Sequence, residues 1–268
     1  SIPIFVASGF FIDVSKKLFP DFELYGYSIL FMLGFVAGMI GIYFLSRIPE
    51  PRMEVSEKSQ GFLRQILQPF KDLNFKKLIV FLGVWNFAVN LAAPFFTVYM
   101  LTILGLEMSV VIVLMTLSLL MNIAFLQLWG RFSDRFSNKS VLGVCGPLFI
   151  ICIFLWTFTG IPGWGAITIP LLITIHLLMG ISTAGISLAS GNIGLKLAPK
   201  GQATTYLATN SFTNSLAAGF APVLGGALAD SLAGTELSWT LRWTTPTGEL
   251  AFQTLNFRQW EFVFFFAV

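Results

Sequence analysis

The chain has 268 residues, of which 56% are hydrophobic and 11% charged, with a net charge of +3. Ordinary soluble domains carry roughly a quarter charged residues, so this composition excludes a soluble enzyme, and the small net charge gives no footing for nucleic-acid binding. The apolar residues do not follow the spacing of a core-facing stripe; they form long runs without Asp, Glu, Lys or Arg.

In chain order, an apolar stretch at 1–12 is too short to cross a bilayer. Runs follow at 24–46, 78–106, 108–130, 140–195 and 201–229. A spanning helix needs about 20 such residues, and four of the runs fit one span each. The run at 140–195 would be about 84 Å long as a single helix, nearly three times the hydrocarbon thickness. It must fold back, and Gly160-Ile-Pro-Gly-Trp-Gly165 is the breaker. Six full spans result, and a last apolar stretch at 260–268 is again too short. A chain that starts with Ser inside one apolar stretch and stops inside another reads as an internal fragment. Its first residues lack the basic region and cleavage site of a signal peptide. Cys145 and Cys152 lie seven apart on one span, too far along a helix for a disulfide, and read as small buried apolar residues. With no CxxC and no Cys/His cluster, neither a metal site nor a cofactor is expected.

Charge fixes the expected orientation. The loop regions with Arg47, Arg52, Lys58, Arg64, Lys71, Lys76 and Lys77, with Arg131, Arg135 and Lys139, and with Lys196 and Lys200 hold 12 basic residues against five acids. The alternate loops hold Lys16, Lys17, Arg242 and Arg258 against eight acids. By the positive-inside rule the first set is cytoplasmic, which predicts an integral, multi-pass protein of the plasma (inner) membrane. The cytoplasmic linker at 47–77 contains an amphipathic stretch, Phe62, Leu63, Ile66, Leu67, Phe70 and Leu73, with Arg64 and Lys71 off its apolar face. Such a stretch suits a helix on the membrane surface or one packed on its own domain.

A short internal repeat numbers the spans. Gly9-Phe-Phe-Ile-Asp13 and Gly226-Ala-Leu-Ala-Asp230 each end a span, and each is followed by a polar loop and an aromatic-rich re-entry, Tyr25-Gly-Tyr-Ser-Ile-Leu-Phe and Trp260-Glu-Phe-Val-Phe-Phe-Phe. The offset fits two six-helix halves related by a parallel repeat.

Between the third and fourth full spans the sequence reads Gly130-Arg-Phe-Ser-Asp134-Arg135-Phe-Ser-Asn-Lys139. This resembles G-x-x-x-D-R-x-x-x-[K/R], the loop signature of the major facilitator superfamily, in the position of its second copy. The resemblance extends along the whole chain. It implies an all-α polytopic membrane protein with the major facilitator fold: 1–46 the end of the N-terminal transmembrane half (helices 5 and 6), 47–77 the linker, and 78–268 the C-terminal half (helices 7 to 11 and the start of 12). It further implies secondary active or facilitative transport of a small solute by alternating access. Gly130, Asp134, Arg135 and Lys139 are then the gating motif that latches the cytoplasmic side: Gly130 allows close approach of helix ends, and Asp134 pairs with Arg135 or Lys139 or complements a helix N-terminus.

Polar groups at membrane depth mark a path for substrate, since lipid penalises them. The span at 78–106 carries Trp85, Asn86 and Asn90, with Pro94 removing the N–H that would bond the Asn90 carbonyl. The span ending at 195 carries His176, Gly180, Thr183, Ser187 and Gly191 as one small polar stripe, and the last full span carries Asn210, Thr213 and Asn214. On the family pattern the cavity candidates are Trp85, Asn86, Asn90, His176 and Thr183, with Pro94 and Pro222 as hinges; Asn210 and Asn214 read rather as glue between helices. No Asp, Glu, Lys or Arg lies inside helices 7 to 11, so proton or ion coupling rests on His176 or on residues outside this chain, or the protein is a facilitator. The expected partners are the lipid bilayer and a small-molecule substrate, with protons or ions as coupling partners. The competing reading is a non-transporting protein of this fold, a receptor or complex subunit. An intramembrane enzyme would need an acid or nucleophile beside the histidine.

Overall fold

The computed structural model describes residues 2–19, 23–49, 66–161, 165–245 and 248–268. Its helices are α1 (Ile2–Leu18), α2 (Glu23–Leu45), α3 (Leu73–Thr102), α4 (Met108–Arg135), α5 (Asn138–Trp156), α6 (Gly165–Leu197), α7 (Ala203–Ser231) and α8 (Gln259–Phe266). The six from α2 to α7 are long and apolar enough to cross a membrane, and they coincide with the six expected spans. The apolar run at 140–195 does break: α5 stops at Trp156 and α6 resumes at Gly165.

Local chemistry sets the ends. Asp72 caps α3 by accepting from the Asn74 and Phe75 amides at 3.0 and 3.2 Å. Ser137 caps α5 by accepting from the Ser140 amide at 3.0 Å. The short turn between α3 and α4 needs Gly105, whose φ of +64° disfavours other residues. Glu107 stands at the α4 N-cap without capping it. Asp13 of α1 does so instead, its two carboxylate oxygens taking the Met108 and Ser109 amides at 3.1 and 2.7 Å. Beside it Lys17 pairs with Glu107 at 3.3 Å, and Gly9 lets α1 lie against Ile112.

The bundle is organised on α6, which packs on α4 and α5, while α3 packs on α7. Between apolar helices in lipid there is little hydrophobic drive, so close approach through small residues takes its place. A Cβ at Gly180 would fall on the Ser118 carbonyl of α4, one at Gly185 on the Cys145 Sγ of α5, and one at Gly225 on the Leu91 carbonyl of α3. Gly130, expected to be such a contact, is not: a Cβ there would meet only Leu188, at an ordinary 3.9 Å. An aromatic cluster of Phe96, Tyr99, Trp156 and Phe264 joins α3, α5 and α8, with Phe96 and Trp156 stacked at 4.4 Å. In contrast, every residue of α2 from Phe31 to Leu45 is exposed.

Two expectations need adjustment. The polar loop after α7 holds an antiparallel hairpin, β1 (Leu237–Thr245) and β2 (Gly248–Phe257). The alternation Leu237-Ser-Trp-Thr-Leu-Arg-Trp243 is a strand pattern in a segment otherwise read only for its polarity. Of the amphipathic linker stretch, Phe62, Leu63 and Arg64 lie outside the described residues. Phe70, in a 3-10 turn at Pro69–Lys71, packs against the cluster of Phe75, Leu78, Ile79, Leu82 and Tyr206, whereas Leu67 and Leu73 are exposed. Gln68 donates to Gln202 at 2.8 Å, which ties this end of the linker to α7.

Candidate functional site

A cavity of about 310 Å³ opens between α3, α5, α6 and α7. Trp85 and Asn86 reach it from α3, Thr183, Ser187 and Ser190 from α6, and Asn210 and Asn214 from α7. Its lining carries no charged side chain. Asn86 donates one N–H of its Nδ2 back to the Leu82 carbonyl at 2.8 Å, which leaves its second N–H and its Oδ1 for other partners. Ser190 Oγ, Asn210 Oδ1 and Asn214 Oδ1 are buried and make no hydrogen bond. Buried oxygens are normally satisfied, and these three belong to side chains that line one cavity. Trp85 supplies an aromatic surface, tilted against Phe149 at 5.5 Å.

Of the five residues expected in one cavity, this space gathers Trp85, Asn86 and Thr183. Asn90 is not among its lining; its Nδ2 donates to the Asn86 carbonyl at 2.8 Å. His176 lines a second cavity, of about 250 Å³, with Phe96, Met100, Ser118, Trp156 and Met179. Its Nδ1 donates to the Leu172 carbonyl at 2.8 Å, and its ring stands edge-on to Trp156 at 5.7 Å. Thr183 belongs to both cavities. The stripe on α6 is therefore divided: Gly180 is a packing contact, while Thr183, Ser187 and Gly191 form cavity wall. Asn210 and Asn214, read from the sequence as interhelical glue, line this cavity, each with a buried Oδ1 that makes no hydrogen bond. The α3 and α7 helices run unbroken through Pro94 and Pro222.

The signature segment forms the last turn and a half of α4, a two-residue link and the start of α5. Its charged members Arg131, Asp134, Arg135 and Lys139 are all exposed. Asp134 was expected to pair with Arg135 or Lys139, yet it makes no ion pair among the described residues. Adjacent positions on a helix point about 100° apart, and Arg135 lies over the Phe136 ring at 5.5 Å. The uncharged members hold the turn together. Ser133 Oγ donates to Asn138 Oδ1, which also accepts from Asn192 Nδ2 of α6 at 3.2 Å, and just upstream Trp129 Nε1 donates to the Ile181 carbonyl at 2.8 Å.

Sequence reasoning missed a buried carboxylate at the other end of the bundle. Glu261 is 3% exposed; Tyr99 donates to its Oε1 at 2.6 Å and the Arg258 amide to its Oε2 at 3.1 Å. Gly160 leaves the space these two side chains occupy. The signal was Glu261 three residues after Arg258 at a helix start, the position from which an acid reaches back to the cap. Asp13 was visible only as half of the repeat.

A family model described as Major Facilitator Superfamily matches residues 80–267. No curated protein and no solved structure matches the chain.

Proposed function

Because the chain belongs to the Major Facilitator Superfamily, a family of membrane transport proteins, we propose that it carries a small solute across the bilayer by alternating access and that the cavity between α3, α5, α6 and α7 is where the solute is held. The observation that carries this reading is that Ser190, Asn210 and Asn214, each with an unbonded oxygen, line that cavity together with Asn86 and Trp85. Interhelical glue would have its oxygens bonded. In this reading α1 and α2 take the places of the fifth and sixth helices of the family and α3 to α8 those of the seventh to twelfth. His176 and Asn90 stand beside the holding site, His176 in the adjoining compartment behind Thr183, and Pro94 and Pro222 are the points where α3 and α7 flex.

The signature turn is the latch of the cytoplasmic side. Asp134 supports this, since an acid in the last turn of its own helix opposes the negative end of the dipole and gains from a partner elsewhere. The basic balance of the loops at that end puts them in the cytoplasm, with the hairpin on the opposite side.

The test uses the full-length protein in proteoliposomes. Solutes are ranked by thermal stabilisation, and the best one is followed in transport. Cysteine placed at Ser187 is expected to react with a membrane-impermeant thiol reagent and to be protected by that solute. Reaction undiminished at saturating solute would place the holding site elsewhere.

A further inference from the structure

We propose that the β1–β2 hairpin is a membrane-surface anchor, a ribbon whose Leu/Trp face lies in the headgroup boundary of the bilayer leaflet at its own end of the bundle.

The register makes the ribbon two-faced. Leu237 stands opposite Phe257, Trp239 opposite Leu255, Leu241 opposite Phe252 and Trp243 opposite Leu250. The alternate pairs are Ser238 with Asn256, Thr240 with Gln253, Arg242 with Ala251 and Thr244 with Glu249. Opposed residues share a face, so one face is built wholly from apolar positions. The β2 sequence alone does not give this, because three steps rather than two separate Phe252 from Leu255. An unbroken strand would put positions 250 and 252 out of phase with 255 and 257. The register shift leaves Thr254 without an opposite residue, and this bulge restores the face. Of the polar face, Arg242 pairs with Glu249 at 2.6 Å.

Position and exposure name the occupant. The ribbon leaves α7 after Ser231 and returns into α8 at Gln259, so both its ends are tethered where bundle helices end. Leu237, Trp239 and Leu241 are 55%, 71% and 58% exposed. At the base Phe257 is buried against the rings of Phe262 and Phe265, at 5.8 and 5.6 Å. Phe265 and Phe266 are themselves exposed on α8. The apolar face thus continues from the ribbon onto the outward surface of a helix in a bundle that is already in contact with lipid. A two-stranded ribbon is marginal in water on its own and gains from a surface to lie on. Trp beside Leu, with polar residues behind, is the composition that settles at the bilayer–water boundary.

The experiment places single cysteines at positions 239, 240, 241 and 242 of the full-length protein, attaches a nitroxide, and reconstitutes each in phosphatidylcholine/phosphatidylglycerol vesicles. The unsubstituted protein, treated identically, corrects for native cysteines. Collision with oxygen, which concentrates in lipid, is compared with collision with a water-soluble nickel chelate. Positions 239 and 241 are expected to favour oxygen several-fold over 240 and 242, a period of two along the strand. Equal access of the chelate to all four would place the ribbon in water and overturn the proposal. Labels at 239 and 241 that are immobile and shielded from both reagents would overturn it as well, since protein, a second copy or another chain, would then be the occupant.

Discussion

The two cavities that meet at Thr183 have similar volumes and opposite chemistry. In the second, His176 Nδ1 is tied to the Leu172 carbonyl and Ser118 Oγ to the His176 carbonyl, with Trp156 Nε1 the exception. In the first, Ser190, Asn210 and Asn214 keep oxygens with nothing bonded to them. The difference follows from what a helix can offer its own side chains. A hydroxyl, imidazole or amide N–H finds a carbonyl one turn back, as Asn86, Asn90, Thr183 and His176 all do. A carboxamide oxygen needs a donor, and inside a helix every backbone N–H is already used. Asparagine oxygens are therefore prone to be left over on a buried helical surface, as at Asn210 and Asn214, whereas Ser190 is a hydroxyl that makes no such bond. A stripe of polar residues in the sequence does not report which of them retain capacity.

The largest expected effect tests the divided stripe on α6. Gly180→Val puts a side chain onto the Ser118 backbone and beside Met121, whose Cβ lies only 2.8 Å from where the new Cβ would be. Overpacking costs roughly 1–3 kcal/mol, and more where backbone cannot yield. Loss of monodisperse protein in size-exclusion chromatography is expected. Gly191→Val, at a cavity wall with nothing within 4 Å, keeps the parent's elution and melting temperature. Equal damage from both would mean that the stripe is one packing seam and the first cavity an incidental gap.

Next come the cavities themselves. Asn214→Ala removes an unbonded oxygen and breaks nothing in the fold, so an unchanged melting temperature is expected with solute affinity down about tenfold, equivalent to about 1.4 kcal/mol. His176→Ala has the opposite signature. It deletes a buried ring packed on Trp156, a loss of about 2 kcal/mol or more, and lowers the melting temperature, with affinity changed less than by Asn214→Ala. If His176→Ala cost affinity at full stability, the solute would contact the second cavity directly.

The sequence was most legible where one physical constraint acts alone. Length and apolarity determine a span, so all six spans and the break before Gly165 were readable from the runs. Facing is set jointly by neighbours, and there the reading thinned. Trp85 and Asn86 line the first cavity, but Asn90, one turn on, does not, and Asn210 and Asn214 line it too although their residue type alone suggested contacts between helices. The signature motif located its turn, yet the residues that hold it, Ser133, Asn138 and Asn192, include one more than 50 positions away on α6. Asp13 was hidden for the same reason: its amides belong to α4, 95 residues on. The hairpin was readable by its alternation, and only attention to loop polarity concealed it.

Thr183, the residue common to both cavities, should give the smallest effect on affinity. Its hydroxyl donates to the Met179 carbonyl at 2.7 Å and accepts from Asn122 Nδ2 at 3.1 Å, so its single proton is already committed. What it offers a solute is chiefly shape. Thr183→Ser keeps both bonds and should leave affinity within about twofold of the parent. Thr183→Val keeps the shape but leaves Asn122 Nδ2 without its acceptor, a cost of roughly 1–3 kcal/mol that appears in the melting temperature rather than in affinity. Should Thr183→Val reduce affinity more than Asn214→Ala does, the hydroxyl must exchange one of its partners for the solute. The boundary between the cavities would then be the binding site, and the unbonded asparagine oxygens would be only its hydrated approach.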